Sequence, residues 1–263
     1  MIPNAPNADT WAIYVHFPFC RHRCAYCDFA TVAAEVIPRR GYTDAILAEL
    51  TLRCATLEPR PISTVYFGGG TPSLWGPSHV AEVLRWLHDW GGLRADAEIT
   101  LEANPGASPL EALAAYPAAG INRLSVGVQA VDDKRLRALD RVHDASGAIA
   151  ALVGLRELLD SGDLRSASAD LILGGPGQEL EHLRSDVETI ASIGLPHLSV
   201  YALTVEPNTP LAEQIDRGLA RAPDELLQAE MLARLPDWLS GAGLSRYEVS
   251  NFARPGHESR HNR

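Results

Sequence analysis

Short apolar runs recur along the chain, and each is followed by a stretch in which apolar residues return every three or four positions. The runs have the length of buried strands, and the stretches have the spacing of one helix face. About six such alternations predict an α/β fold with a parallel sheet. The predicted strands are Trp11–His16, Thr64–Gly68, Glu98–Ala103, Arg123–Val128, Ser166–Leu173 and His197–Leu203, and the predicted helices lie near 40–57, 77–90, 108–119, 144–161 and 178–193.

The end of the chain adds a helical stretch near 223–242 and a short run at Arg246–Val249. No linker rich in Gly, Ser or Pro divides the 263 residues, and α/β barrels of about 250 residues form single units. We therefore expect a partial, TIM-like barrel of six β/α units. A doubly wound open sheet is the alternative, because periodicity does not report whether a sheet curls.

Composition narrows the function classes. The chain is 46% hydrophobic and carries a net charge of −10, with no basic stripe, so a nucleic-acid partner is not expected. It has no apolar run of the roughly 18 residues that a membrane span needs. Met1–Trp11 lacks the basic start and apolar run of a signal peptide, so we expect a cytoplasmic protein.

Three of the four cysteines, Cys20, Cys24 and Cys27, fall within eight residues after the first predicted strand. In a reducing compartment such a cluster indicates a metal site. Three thiolates can hold three irons of a cubane cluster and leave the fourth iron open. The alternative is a zinc site, with His16 or His22 as the fourth ligand. Cys54 lies in a helical pattern and is expected in the core.

Polar or Gly/Pro-rich loops follow all six predicted strands. In parallel α/β folds the loops at the carboxyl ends of the strands carry the functional site. One site at one rim of the barrel is therefore predicted.

The loops also match a known family in collinear order. The matching segments are Tyr14–Phe29, Phe67–Ser73, Leu101–Gly106, Ser125–Gln129, Arg141–His143, Asp170–Gly174, Leu203–Thr209, Tyr247–Ser250 and His261–Asn262. The chain resembles radical S-adenosylmethionine (SAM) proteins, and more narrowly the oxygen-independent coproporphyrinogen III oxidase-like branch, which includes the HemW heme chaperones.

The resemblance implies a [4Fe–4S] cluster on Cys20, Cys24 and Cys27, with SAM chelating the open iron and yielding a 5′-deoxyadenosyl radical after one-electron cleavage. It implies further cofactor-binding roles for residues in the matching loops. Glu102 would accept from ribose hydroxyls and Asp170 from a second ligand, while Gln129 and Arg141 suit carboxylates. The complete set is Tyr14, Tyr26, Gly68, Gly69, Gly70, Thr71, Glu102, Gln129, Arg141, Asp170, Ala202 and His261.

Two functions stay open within that branch. The decarboxylating dehydrogenases carry a further cysteine two places after the third cluster cysteine, where this chain has Phe29. This favours a heme chaperone, which binds heme and passes it to apoproteins such as respiratory cytochromes, with flavodoxin or ferredoxin as electron donor. Oxidative decarboxylation of coproporphyrinogen III is the alternative. The chain departs from the family pattern at Asp140, usually Gly, and at Gly175, usually Leu.

The last residues, His261 to Arg263, resemble the opening of a family motif associated with heme binding. We expect a SAM domain over 1–250 and a tail, 251–263, leading towards a further domain. His261 is then either a heme ligand or a solvated residue on a mobile tail.

Overall fold

The computed structural model describes residues 9–108 and 110–263. Its strands are β1 (Trp11–Phe17), β2 (Phe19–Cys20), β3 (Val32–Ala33), β4 (Ile62–Gly69), β5 (Leu93–Ala103), β6 (Arg123–Gln129), β7 (Ser166–Leu173), β8 (His197–Ala202), β9 (Ser245–Arg246) and β10 (Asn251–Ala253). Its α-helices are α1 (Arg39–Cys54), α2 (Pro77–Gly91), α3 (Leu110–Leu113), α4 (Asp133–Ala138), α5 (Ala145–Asp160), α6 (Leu180–Ile193), α7 (Pro210–Asp216) and α8 (Glu225–Ser240).

Eight of the strands form one sheet in the order β1-β4-β5-β6-β7-β8-β10-β9. The first six run parallel, and β10 is antiparallel to both β8 and β9. All six predicted strands are confirmed, within a few residues at their ends. Across the described residues the sheet begins at β1 and ends at β9, so the predicted partial barrel is confirmed. None of the described helices is long and apolar enough to cross a membrane.

Apolar and polar side chains alternate along the strands, so the two faces of the sheet differ. Apolar side chains such as Phe67, Leu101 and Leu124 are fully buried on the outer face, where the helices pack. In α2, Val80, Val83, Leu84 and Leu87 bury one stripe at spacings of three and four residues, as an amphipathic helix requires.

The inner face is mostly polar, although Ile172 of β7 also lies on it. It carries hydroxyls, carboxylates, a guanidinium and an imidazole, which meet neighbours from adjacent strands. Ser125 of β6 donates to Asp170 of β7 at 2.9 Å, and Ser168 of β7 lies 2.7 Å from Nδ1 of His197 in β8. The barrel interior is therefore held by hydrogen bonds, in contrast to the bulky aliphatic layers usual in closed barrels.

The region 108–119, predicted as one helix, is two short pieces. The helix Leu110–Leu113 is followed by a 3₁₀ turn, Pro117–Ala119. Pro117 lacks an N–H, and its ring would clash with the carbonyl four residues earlier, so a continuous helix is excluded.

Helices α4 and α7 and strands β2, β3 and β10 were not predicted from the sequence. Helix α4 begins where the Asp132 carboxylate accepts from the N–H of Arg135 at 2.9 Å. Helix α7 is capped by Thr209. Strand β10 lies after the predicted run at Arg246–Val249, so the main sheet continues beyond residue 250.

We predict opposite effects on stability at two neighbouring glycines after β7. A Cβ on Gly175 would lie 3.8 Å from Leu139, at ordinary contact distance, and its φ is not left-handed. Gly175→Ala should therefore raise the free energy of unfolding by about 0.4–1 kcal/mol. Gly174 has φ +75°, and a Cβ there would lie 2.3 Å from the Gln228 amide, so Gly174→Ala should lower stability.

Urea denaturation of both variants beside the parent protein measures the difference. Equal effects of the two alanines would contradict the assignment of their backbone environments.

A second prediction concerns acid stability. Burial, helped by Arg123 and His257, lowers the pKa of His197 to about 2. Between pH 6.5 and that value the unfolded chain binds a proton that the folded chain does not, so stability should fall as pH drops below 6.5. The loss is at most about 2 kcal/mol between pH 6.5 and 5.

His197→Asn should flatten this acid limb, measured by urea denaturation at several pH values. His88→Asn, at an exposed position of α2, serves as the control. Glu102 also makes stability depend on pH, equally in the parent protein and in His197→Asn. Its pKa is raised to about 7, so between pH 4.5 and 7 the folded chain holds a proton that the unfolded chain lacks, and this contribution to stability rises as the pH falls. An unchanged slope in His197→Asn would contradict the prediction.

Candidate functional site

An aromatic cluster fixes the start of the cysteine loop, which we define as residues 18–34. The rings of Phe17, Tyr42 and Trp75 pack with centroids 5.2 to 5.5 Å apart, and Phe19 joins them. The loop closes on itself where β2 pairs with β3. The backbone at Cys20 is therefore held in place by a rigidly packed base.

The glycine loop after β4 lies against this base. The N–H of Gly70 donates to the carbonyl of Phe17 at 2.7 Å, and that of Thr71 donates to Phe19 at 3.0 Å. A Cβ on Gly70 would meet the Cys20 sulfur at 2.9 Å and the Phe19 carbonyl at 2.8 Å. Only glycine allows so close an approach of the two loops.

A second apolar cluster supports the far half of the cysteine loop. Ala25 is buried with Leu203 and Leu211, and Tyr26 packs against them. The N–H of Leu211, in α7, donates to the carbonyl of Ala25 at 2.9 Å. The loop after β8 thus sets the position of Cys24 and Cys27.

All four cysteines are free thiols. Burial raises the pKa of Cys20, although the Thr71 hydroxyl, 3.5 Å from its sulfur, opposes that shift. Arg141 donates from Nη1 to the Cys24 sulfur at 3.2 Å and from Nη2 to the carbonyl of Gly127 at 2.8 Å. A fixed cation therefore lies against the Cys24 sulfur.

Arg141 follows a residue with unusual backbone geometry. Asp140 has φ +54°, in the left-handed region that glycine adopts freely and Asp tolerates. This explains why glycine suits the position. The Asp140 carboxylate accepts from Nε2 of His22 at 2.9 Å, so this departure ties the cysteine loop to the Arg141 loop.

Two half-buried carboxylates lie on the inner face of the sheet near the thiols. Glu102 accepts from the Tyr66 phenol at 2.7 Å and from the N–H of Gly69 at 3.0 Å. Burial raises its pKa to about 7; the two donors oppose that shift and nearby Asp170 adds to it. Burial also raises the pKa of Asp170, against hydroxyl donors that include Ser125. Glu102 can thus accept or donate a hydrogen bond near neutral pH.

One cavity of about 460 Å³ at the carboxyl ends of the strands brings most predicted site residues together. Its volume is typical of a small-molecule site. Among the predicted residues it is lined by Cys20, Cys24, Cys27, Tyr26, Gly69, Gly70, Glu102, Gln129, Arg141, Asp170 and Ala202.

Four predicted residues lie outside the lining. Gly68 is packed between Tyr14 and Tyr66, and Thr71 stands behind Cys20. Tyr14 is exposed and its hydroxyl lies 3.0 Å from Nδ1 of His16. His261 lies behind Tyr66, with its Nδ1 2.9 Å from the Thr64 hydroxyl, so the expectation of a solvated residue on a mobile tail is wrong.

The cavity also contains residues that the sequence did not single out. Tyr66 and Tyr201 reach it from inward strand positions, where nothing but the alternation of the strand could have indicated them. Asn104 follows β5 in a loop of the predicted rim, and its side chain accepts from Arg141. The exposed Phe29 lies at the mouth.

Within the described ranges, no three side chains of His, Cys, Asp or Glu gather closely enough to hold one metal ion. A cubane cluster binds each thiolate through a different iron. Both histidines considered for zinc have other partners: His16 lies 2.9 Å from the Ala30 carbonyl, and His22 contacts Asp140.

Fold and site together define a class: a partial α/β barrel with a three-cysteine loop beside a cavity at the carboxyl ends of its strands. The model of the radical SAM superfamily matches residues 14–190, and the chain belongs to that superfamily. Membership implies a [4Fe–4S] cluster and SAM as cofactors, and the three free thiols beside an open cavity fit that set.

Several curated proteins are similar over nearly the whole chain. The heme chaperone HemW of Mycobacterium tuberculosis is 41% identical over 96% of this chain and 64% of its own length. The mitochondrial radical S-adenosyl methionine domain-containing protein 1 of mouse is 40% identical over 99% of this chain and 58% of its own length. HemW of Escherichia coli is 35% identical, with 95% and 65% covered. The chain spans about three fifths of the length of these relatives.

The coproporphyrinogen III oxidase of Escherichia coli, described as a radical SAM enzyme, has a similar solved structure. The TM-score is 0.83 with 27% identity, over 95% of this chain and 57% of that one. A radical SAM methyltransferase of Kitasatospora setae shares the fold alone, with a TM-score of 0.59 and 15% identity.

We predict that Cys24→Ser abolishes an oxygen-labile cluster, because a hydroxyl is a poor ligand for iron that prefers thiolates. Iron and acid-labile sulfide, measured after anaerobic purification, give the readout. Cys54→Ser, in α1, is the matched control and should keep both. Retention in Cys24→Ser together with loss in Cys54→Ser would refute the assignment.

Proposed function

We propose that Cys20, Cys24 and Cys27 hold the [4Fe–4S] cluster and that SAM binds in the adjoining cavity. The observation that carries this proposal is that three free thiols and two half-buried carboxylates line one cavity. When bound, the reduced cluster and SAM would supply a 5′-deoxyadenosyl radical, with one electron from the cluster consumed in breaking the C–S bond and methionine as the other product.

Each wall of the cavity has a distinct task in this proposal. The main chain at Gly69 and Gly70 offers close polar contact to the methionine end of SAM, and Glu102 is placed for the ribose hydroxyls. Arg141 and Gln129 are suited to a carboxylate. The Arg141 Nε is buried without a partner among the described residues, so this guanidinium still has a donor to offer.

Asp170 lines the same cavity from β7 and is proposed to contact a second ligand. Tyr26 and Ala202 add apolar surface to the lining. A site that combines polar groups with apolar surface suits a flat, amphipathic molecule such as a tetrapyrrole.

For the activity as a whole we propose a heme chaperone that transfers heme to apoproteins such as respiratory cytochromes. Its support is the 41% identity to HemW of Mycobacterium tuberculosis and Phe29 at the cavity mouth in place of a further cysteine. A one-electron donor of the flavodoxin or ferredoxin kind would reduce the cluster. The unpaired cysteines favour a reducing compartment, which we propose to be the cytoplasm.

The second candidate is oxidative decarboxylation of coproporphyrinogen III. The observation in its favour is the TM-score of 0.83 to the Escherichia coli coproporphyrinogen III oxidase. Both candidates use the same cofactors and differ in the tetrapyrrole and its fate.

Two anaerobic incubations of the cluster-loaded protein separate them. Heme titration should give a saturable Soret band, whereas coproporphyrinogen III with SAM and a reductant should give no product with new vinyl groups. Formation of protoporphyrinogen IX above a Cys24→Ser control would overturn the chaperone proposal in favour of the enzyme.

His261 as a heme ligand is tested in the same titration. Because its Nδ1 faces Thr64 and its ring lies behind Tyr66, we now expect His261→Ala to leave the Soret band unchanged. A shifted band or weaker heme affinity would return His261 to the heme site.

A further inference from the structure

The chain after β10 crosses the barrel at the amino-terminal ends of the strands, and we define residues 257–261 as the floor segment. The buried Glu98 carboxylate accepts from the N–H groups of Arg260 at 2.9 Å and His261 at 3.1 Å. Arg123, 3.6 Å from Glu98, donates to the His257 carbonyl at 2.9 Å. A buried ion pair thus holds both ends of the segment.

This clamp sets His261 against the back of a cavity residue. The imidazole lies over the Tyr66 ring with centroids 5.1 Å apart and planes 29° from parallel. Its Nδ1 lies 2.9 Å from the Thr64 hydroxyl, on the same strand as Tyr66. The ring therefore has a fixed position and a fixed partner on β4.

Tyr66 connects His261 to the cavity, because it contacts His261 with its ring and Glu102 with its hydroxyl. Its hydroxyl donates to one Glu102 oxygen at 2.7 Å, while the other oxygen accepts from the N–H of Gly69 at 3.0 Å. With a donor on each oxygen, the orientation of the carboxylate depends on where the phenol stands.

We propose that His261 is a positioning residue of the cofactor cavity: it holds Tyr66 from behind, and Tyr66 orients the Glu102 carboxylate towards SAM. The inference rests on the proposed contact of Glu102 with SAM. Without the imidazole, a space opens behind Tyr66 and the phenol gains freedom to leave Glu102. Catalytic and binding groups need such support to stay in their productive geometry.

SAM affinity of the cluster-loaded protein, measured by anaerobic calorimetry, tests the proposal. His261→Ala should weaken SAM binding about fivefold, the effect of one hydrogen bond of about 1 kcal/mol. His261→Phe keeps a ring against Tyr66 and should restore most of the affinity. Cluster absorbance and the melting temperature of each variant show whether the site is intact.

A double-mutant cycle tests whether His261 affects SAM binding through the Tyr66 hydroxyl. Tyr66→Phe removes the hydroxyl that joins ring and carboxylate, so adding His261→Ala in that background should change SAM affinity less than twofold. The matched control is His257→Ala, which removes an imidazole of the same segment that contacts Ser166 at 3.2 Å. It should lower stability and leave SAM affinity unchanged.

The outcomes separate failure of the proposed contact between Glu102 and SAM from failure of the positioning role of His261. If Glu102→Gln leaves SAM affinity unchanged, the proposed role of Glu102 fails and the positioning role fails with it. If Glu102→Gln weakens SAM binding while His261→Ala matches the parent protein, only the positioning role is overturned. Equal losses in His257→Ala and His261→Ala also overturn it, because they would report a general disturbance of the floor.

Discussion

Polar side chains on the inner face of the sheet lie where water is largely excluded, and each needs a hydrogen-bond partner. An unpaired buried donor or acceptor costs about 1–3 kcal/mol, which is a large share of the stability of a domain. The structure meets most of this demand by pairing strand with strand, as Ser125 does with Asp170, and strand with floor segment, as Glu98 does with Arg260. Among the described residues, Thr100 Oγ1 and Arg123 Nη2 are exceptions, buried without a partner. The shape of the interior follows from that requirement.

The need of buried polar groups for hydrogen-bond partners applies at both ends of the barrel. At the carboxyl ends, Glu102 and Asp170 keep raised pKa values because burial outweighs the donors around them. At the amino-terminal ends, Glu98 is committed to main-chain donors of the floor segment. Carboxylates at the two ends of the barrel therefore take different roles: Glu98 holds the floor segment, whereas Glu102 and Asp170 line the cavity.

Sequence periodicity predicted the six parallel strands and the rim of the barrel, because both depend on local patterns. It did not predict β10, whose three residues need β8 as a partner, or the break at Pro117 within an otherwise helical stretch. At the site, the loops that carry motifs were found, while Tyr66 and Tyr201 were not. The sequence predicts a tail at His261, because its partner Thr64 is 197 residues away along the chain.

Sequence separation also sets the order in which the interior can form. The pairs that join Glu98 and Arg123 to the floor segment span 134 to 163 residues, far longer than the pairings between successive strands. Contacts of such range form late in folding, because the entropy of closing the loop precedes any gain. During synthesis, the β4 to β8 sheet can pair while its inner polar groups are still hydrated. Residues 257–261 are synthesised after the β4 to β8 sheet, so the proposed support of Tyr66 forms only after those strands are able to pair.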